Sequence, residues 1–199
     1  ADSILTVGGV HPDTHYHTDF SSYGPTSDKR LKPNVSAYAH VIAADDEKMQ
    51  STQGTSFAAP LVAGFAACVW QKNTTWSNMQ LLNEIQQSAH LYPYFDYAHG
   101  YGMPQADYFF NKKTVADTSF IFEVTTDTLL ITIPEHIDID EDKTYLFYHI
   151  KSATGVLKEY KVIDVYNRNV VTIDTSILKA GDTIHAYYKG FTLKFTKDD

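Results

Sequence analysis

The sequence predicts two architectures in series: an α/β portion over residues 1–112 and an all-β sandwich over residues 113–199. Three observations carry that reading. The β-branched run Ile4 to Val10 has the character of a buried strand, and the nearly uncharged stretch from Ser56 to about Lys72 that of a helix. A second helical pattern spans about Asn78 to Ala89. After residue 113 the character changes to seven runs of β-branched and aromatic residues, several of them parted by turn residues.

In the first part, the strand at 4–10 is followed by a polar stretch, His11 to Asp28, with turn-formers at Tyr23-Gly24-Pro25-Thr26. Leu31 to Ala43 is expected to be mostly extended, because Pro33 disfavours helical geometry at Lys32. Asp45 to Thr52 reads as a polar loop. The helix from Ser56 is apolar all round, the pattern of a buried helix, and Cys68 within it is expected to be a small core residue. Pro60 falls in the first turn, where its missing donor costs little. In the second helix Ser77 is a plausible N-cap, and Met79, Leu82, Ile85 and Ala89 are spaced for one apolar face. A turn at Gly100-Tyr101-Gly102-Met103-Pro104, a short helical piece from Gln105 to Asn111 and a linker at Lys112-Lys113-Thr114 complete this part.

In the second part the strand-like runs begin at Phe120, Thr128, Tyr145, Leu157, Val170, Thr183 and Phe191. Turn signals such as Ala153-Thr154-Gly155, Asn167-Arg168-Asn169 and Ala180-Gly181-Asp182 separate several of them. That spacing predicts a sandwich of about 85 residues. Tyr145, Tyr148, Tyr160, Tyr187 and Tyr188 fit either a ligand face or ordinary alternating cores. No motif in this part reads as chemistry.

Composition narrows the partners. Sixteen Lys and Arg against 24 Asp and Glu give a net charge of −8 with no basic stripe, which argues against nucleic acid. No stretch approaches the roughly 20 apolar residues of a membrane-spanning helix. One cysteine permits no internal disulfide and leaves the redox compartment open. The first residues lack the basic and apolar regions of a signal peptide and read at once as strand, so a preceding segment is expected to have been removed.

Chemistry concentrates at Gly54-Thr55-Ser56-Phe57-Ala58-Ala59-Pro60, followed by Val62-Ala63-Gly64. A serine hydroxyl needs a base and donors for an oxyanion before it is an effective nucleophile. The start of a helix supplies free amides and a dipole that favours negative charge, and small neighbours let the helix pack deeply. The block resembles the serine motif of the subtilases, the subtilisin-like serine peptidases. Asp19-Phe20-Ser21-Ser22-Tyr23-Gly24-Pro25 and Leu31-Lys32-Pro33-Asn34-Val35-Ser36-Ala37 resemble the stretch that precedes that motif. Ile4 to Val10 resembles the strand before it. Trp76 to Ala89, and Gly100-Tyr101-Gly102 with Ala106, resemble the helix and turn that close the catalytic domain.

The resemblance covers roughly residues 1–112 in the family's order. It implies the C-terminal part of a parallel-sheet α/β catalytic domain, with Ser56 as nucleophile of a serine endopeptidase acting on proteins or peptides. It leaves Thr55 two roles, support of the oxyanion hole through its hydroxyl or simple packing. The family's Asp and His motifs and its oxyanion Asn would all lie upstream of Ile4. His11, His15, His17 and His40 precede Ser56, but none lies in the family's His-Gly-Thr context, so none is assigned as the base. The chain alone is therefore expected to be inactive. Its sheet should be incomplete, and the N-terminal half of the catalytic domain is its expected partner. The family is usually exported, which implies a secreted or cell-surface, bacterial setting. The rival reading is a β-rich binding or structural protein carrying an inactive subtilase remnant.

Two departures from the family pattern stand out: Asn34 where a carboxylate is usual, and Tyr38-Ala39 where Pro-Gly is usual. Two further groups invite a metal reading. His15 and His17 would share one face of an extended segment, but surface histidines are the expectation. Asp138, Asp140 and Asp142 open like a calcium loop, yet Lys143 and His149 stand where that loop needs Gly and Glu, so a solvated acidic turn is expected. The resemblance allows calcium somewhere in the full-length protein, and no residue of this chain is assigned to it.

Overall fold

A computed structural model describes residues 3–46, 48–110, 118–134, 145–166 and 168–198. The chain divides into two compact units, Ala1–Lys113 and Thr114–Asp199. The linker expected at 112–114 lies outside the described residues.

The first unit is mixed α/β. Strands β1 (Val7–Val10) and β2 (Val35–Tyr38) pair in parallel, with Val7 opposite Val35 and Val10 opposite Tyr38. Strands β3 (His40–Asp45) and β4 (Lys48–Gln53) form an antiparallel hairpin. The polar loop expected at 45–52 is thus mostly strand. Its side chains are largely exposed on both faces, so the pairing rests on the backbone ladder and leaves no apolar alternation to read.

Helix α1 (Thr55–Lys72) packs on β1 and β2 and also meets α2 (Asn78–Ser88). Only Ala58, Val62 and Val69 of α1 are buried. Leu61 and Trp70 are 50% and 43% exposed, and Cys68 is exposed too. The expectation of a helix buried all round, with Cys68 in the core, is therefore corrected. The described residues cover one stripe of α1 and leave its opposite apolar face bare. Helix α2 starts where expected: Ser77 Oγ accepts the Gln80 amide, and the Gln80 side chain accepts the Ser77 amide, a full capping box. Its buried residues are Leu81, Ile85 and Ser88, continuing to Ala89. The buried stripe is rotated away from Met79, which is 38% exposed. A 3₁₀ helix at Ala106–Phe109 follows.

The second unit holds seven strands among the described residues, one at each expected run. Strands β5 (Ile121–Val124), β6 (Thr128–Thr132) and β9 (Val170–Asp174) form one antiparallel sheet. Strands β7 (Tyr145–Lys151), β8 (Leu157–Asp164), β10 (Thr183–Tyr188) and β11 (Phe191–Thr196) form another, in the order β11-β10-β7-β8. Leu129, Ile131 and Ile173 from the first sheet and Leu146, Ile150 and Ile184 from the second share one core with Phe120. Each such side chain contributes about 1.5–3 kcal/mol when fully buried.

Alternation splits the tyrosines. Tyr148 and Tyr188 belong to that core, whereas Tyr145, Tyr160 and Tyr187 fall on the opposite side of their sheet by register. Tyr187 is nevertheless buried, and burial pushes its hydroxyl up to about 12. The five do not make a common face.

Candidate functional site

The approach to α1 is fixed by three backbone devices. Ala39, fully buried, donates its amide to Val10 O and accepts the Gly54 amide at 2.8 Å. Gly54 then takes φ 151° and ψ 149°, a conformation essentially reserved for glycine, and its carbonyl accepts the Phe57 amide. The chain turns sharply from β4 into the helix and sets Thr55 and Ser56 at its first two positions. The third device is Gly9 on β1. A Cβ there would lie 2.7 Å from Ala39 Cβ, 2.9 Å from Thr18 Oγ1 and 3.4 Å from Thr55 Cγ2. Only a glycine lets the start of α1 settle this closely on the strand. Sequence reasoning missed Gly9, although a glycine pair inside a β-branched run signals close backbone approach.

Ser56 is exposed in the first helical turn, beside the helix's unsatisfied amides. Among the described residues, no histidine or carboxylate hydrogen-bonds its hydroxyl. Thr55 is half-buried, and its methyl faces Gly9. It also borders a pocket of about 390 Å³ with Gly8, Phe20, Tyr23 and Lys32. Geometry of this kind can present a hydroxyl and stabilise negative charge next to it. A base is needed to complete it.

The four histidines ahead of Ser56 go elsewhere. His11 and His40 pack ring to ring, with centroids 4.7 Å apart, and Phe20 lies 5.6 Å from His40. His17 is buried and stacked on Tyr23 at 4.0 Å, which corrects the expectation of a surface side chain. Burial, with a smaller push from His99, lowers its pKa to about 4. His15 sits at φ 56°, so its backbone departs from the extended conformation expected of the segment. Among the described residues no group of three His, Cys, Asp or Glu could hold a metal ion. Asp138, Asp140 and Asp142 lie outside the described residues.

A buried polar cluster sits under the closing turn. Asp96 accepts the amides of Ala98 and His99 at 2.8 and 2.6 Å and pairs with His99 Nδ1 at 2.9 Å. His90 takes the Met103 amide on Nδ1 at 2.9 Å, which leaves its proton on the other nitrogen. Burial lowers the His90 pKa to about 4.

Asn34 explains one departure. Its side-chain oxygen accepts from the Thr6 amide, the Thr6 hydroxyl and Lys32 Nζ, and its amide nitrogen donates to Gln86 at 2.8 Å. A carboxylate could make the first three bonds but could not donate the fourth. Asn34 thus ties the entry of β1 to α2.

The Subtilase family model matches residues 1–102, just over half of the 199. This chain belongs to the subtilase family. Over 87 residues, 44% of the chain, it is 38% identical to alkaline elastase YaB of Bacillus sp. (strain YaB) and spans 22% of that protein. At the same coverage it is 36% identical to M-protease of Shouchella clausii (strain KSM-K16), spanning 22% of it, and to subtilisin BL of Lederbergia lenta, spanning 30%. The chain therefore spans less than a third of the length of these relatives. The subtilase match includes β1 to β4, α1, α2 and Gly100-Tyr101-Gly102 of the closing turn, and it ends before the second unit.

Proposed function

We propose that this chain is the serine-bearing part of a subtilisin-like serine endopeptidase and that Ser56 is its nucleophile. The observation that carries the reading is the mounting of Ser56: an exposed hydroxyl in the first turn of α1, behind a glycine-only entry at Gly54, in a chain of the subtilase family. In this reading Ser56 Oγ attacks the scissile carbonyl while a histidine takes its proton. That proton then goes to the departing amine, and water hydrolyses the acyl-enzyme. The histidine, its aspartate and the oxyanion amide come from the N-terminal half of the catalytic domain. The Thr55 hydroxyl supports the oxyanion site.

Two features support a companion half. A parallel sheet of two strands is rarely stable without further strands and cover, and β1–β2 is such a pair. The bare face of α1, with Leu61 and Trp70, is a second surface suited to cover. Substrates are proteins or peptides. An exported bacterial setting is supported by the relatives named above, and no described helix is long and apolar enough to cross a membrane. The second unit is read as an appended sandwich, supported by the core its two sheets share.

The test is hydrolysis of a peptide substrate by the longest polypeptide that carries this chain. Ser56→Ala is expected to lower kcat by a factor on the order of 10⁶. Unchanged hydrolysis overturns the assignment of Ser56. A full-length protein that does not hydrolyse peptides, and that lacks the Asp and His motifs upstream, is the inactive remnant instead.

A further inference from the structure

Two buried hydroxyls converge on a single residue of β1. Gly9 donates its amide to Ser21 Oγ at 2.9 Å, and its carbonyl accepts both the amide and the hydroxyl of Thr18 at 3.1 Å. Thr18 and Ser21 are 6% and 4% exposed. Their spacing is held by the Ser21 amide, which donates to Thr18 O at 2.9 Å. The segment is anchored on either side. His17 bridges to Val10 and stacks on Tyr23 at 4.0 Å, and the Gly24 amide donates to Tyr97 O at 2.9 Å. The clamped residue is the one on which α1 settles: Ala39 Cβ and Thr55 Cγ2 lie 2.7 and 3.4 Å from where a Cβ of Gly9 would stand. Thr55 directly precedes Ser56, so the place of Gly9 sets the place at which α1 starts.

Resting on the reading of Ser56 as nucleophile, we propose that Thr18 and Ser21 are positioning residues for the reaction: their hydroxyls clamp Gly9, and Gly9 fixes where α1 begins and where Ser56 Oγ meets the scissile carbonyl. Glycine permits the close approach of α1, but it is also the residue with the most backbone freedom. Three hydrogen bonds from one short segment remove that freedom. Losing a hydroxyl leaves a buried backbone group of Gly9 short of a partner, and the strand shifts to recover one. A shift passes to Thr55 through direct contact. Misplacing a reacting group by about 1 Å costs about a hundredfold in rate. Both hydroxyls are buried and bonded to backbone, so the clamp acts on the orientation of Ser56 and leaves substrate binding alone.

The experiment is steady-state hydrolysis of one peptide substrate by variants of the longest polypeptide that carries this chain. Exhaustive fluorophosphonate labelling counts the competent sites, so that kcat refers to folded enzyme only. Thr18→Val keeps the shape of the side chain without its hydroxyl, and Ser21→Ala removes the acceptor of the Gly9 amide. Each is expected to lower kcat by about tenfold or more with KM unchanged, the signature of an interaction realised in the transition state. Thr18→Ser keeps the hydroxyl and should hold kcat near the wild-type value. Ser77→Ala weakens the same unit at the α2 cap, far from Gly9 in sequence, and should lower stability without changing kcat. Wild-type kcat in both Thr18→Val and Ser21→Ala overturns the proposal and leaves Ser56 standing. A loss confined to KM, an equal loss in Ser77→Ala, or a Thr18→Ser as slow as Thr18→Val overturns it as well. Undiminished hydrolysis by Ser56→Ala overturns the reading beneath it.

Discussion

The two units handle apolar surface in opposite ways. In the second, the sheets β5-β6-β9 and β11-β10-β7-β8 turn their apolar residues into one core, and Phe120, Leu129, Ile131, Leu146 and Ile184 are all fully buried. In the first, an 18-residue helix of mostly apolar sequence buries three side chains and shows Leu61 and Trp70 to solvent. The second unit therefore carries its own cover, while the first leaves an apolar face of α1 uncovered by the described residues, the face that the proposed N-terminal half would meet.

That contrast can be broken most sharply with paired truncations. Ile184→Ala should destabilise the second unit by about 2–5 kcal/mol, because it empties part of a closed core. Leu61→Ala on the bare face of α1 should change the isolated chain by no more than about 0.5 kcal/mol. Denaturant unfolding of the two variants measures both. A large loss at Leu61 would mean that α1 is covered within this chain after all.

Acid should separate the units next. His17 and His90 have pKa values of about 4 in the folded chain, against about 6.5 when unfolded. Between those values the unfolded chain binds protons that the folded chain refuses. Stability of the first unit must therefore fall as pH drops from about 6.5 to about 4 and be flat above about 7. Both tryptophans, Trp70 and Trp76, lie in the first unit, so their fluorescence reports its melting alone. His17→Phe should flatten the acid slope.

Smaller effects sharpen the internal ties of the first unit. Asn34→Ala strips partners from Thr6, Lys32 and Gln86 and should cost about 1–3 kcal/mol. Asn34→Asp should cost less, since it loses only the donor to Gln86. Ser77→Ala removes the capping box and should cost about 1 kcal/mol. Thermal melts followed by tryptophan fluorescence resolve all three.

Much of this was legible in the residues. The seven strands of the second unit, the Ser77 cap and the helix start at Gly54-Thr55-Ser56 all announce themselves through period, turn chemistry and motif. The β3–β4 hairpin did not, because strands exposed on both faces have no apolar alternation. The burial of α1 is not legible in its residues, since apolar sequence sets what a helix can bury and not what lies against it. The polar neighbours of His17 suggest a surface side chain, yet stacking on Tyr23 hides it. At the site, the start of α1 at Thr55 and Ser56 follows from the motif, and the role of Ser56 is the proposal above. The supports at Gly9 and Ala39 come from segments far from it in sequence, and only folding brings them under Thr55 and Gly54.

In the proposed reading Ser56 is mounted for attack but needs the rest of the catalytic domain. Fluorophosphonate labelling tests it most directly, applied in parallel to residues 1–199 and to the longest polypeptide that contains them. Rapid labelling of the longer polypeptide, lost in Ser56→Ala, and negligible labelling of the chain alone are expected. Strong labelling of Ser56 in the isolated chain would contradict it.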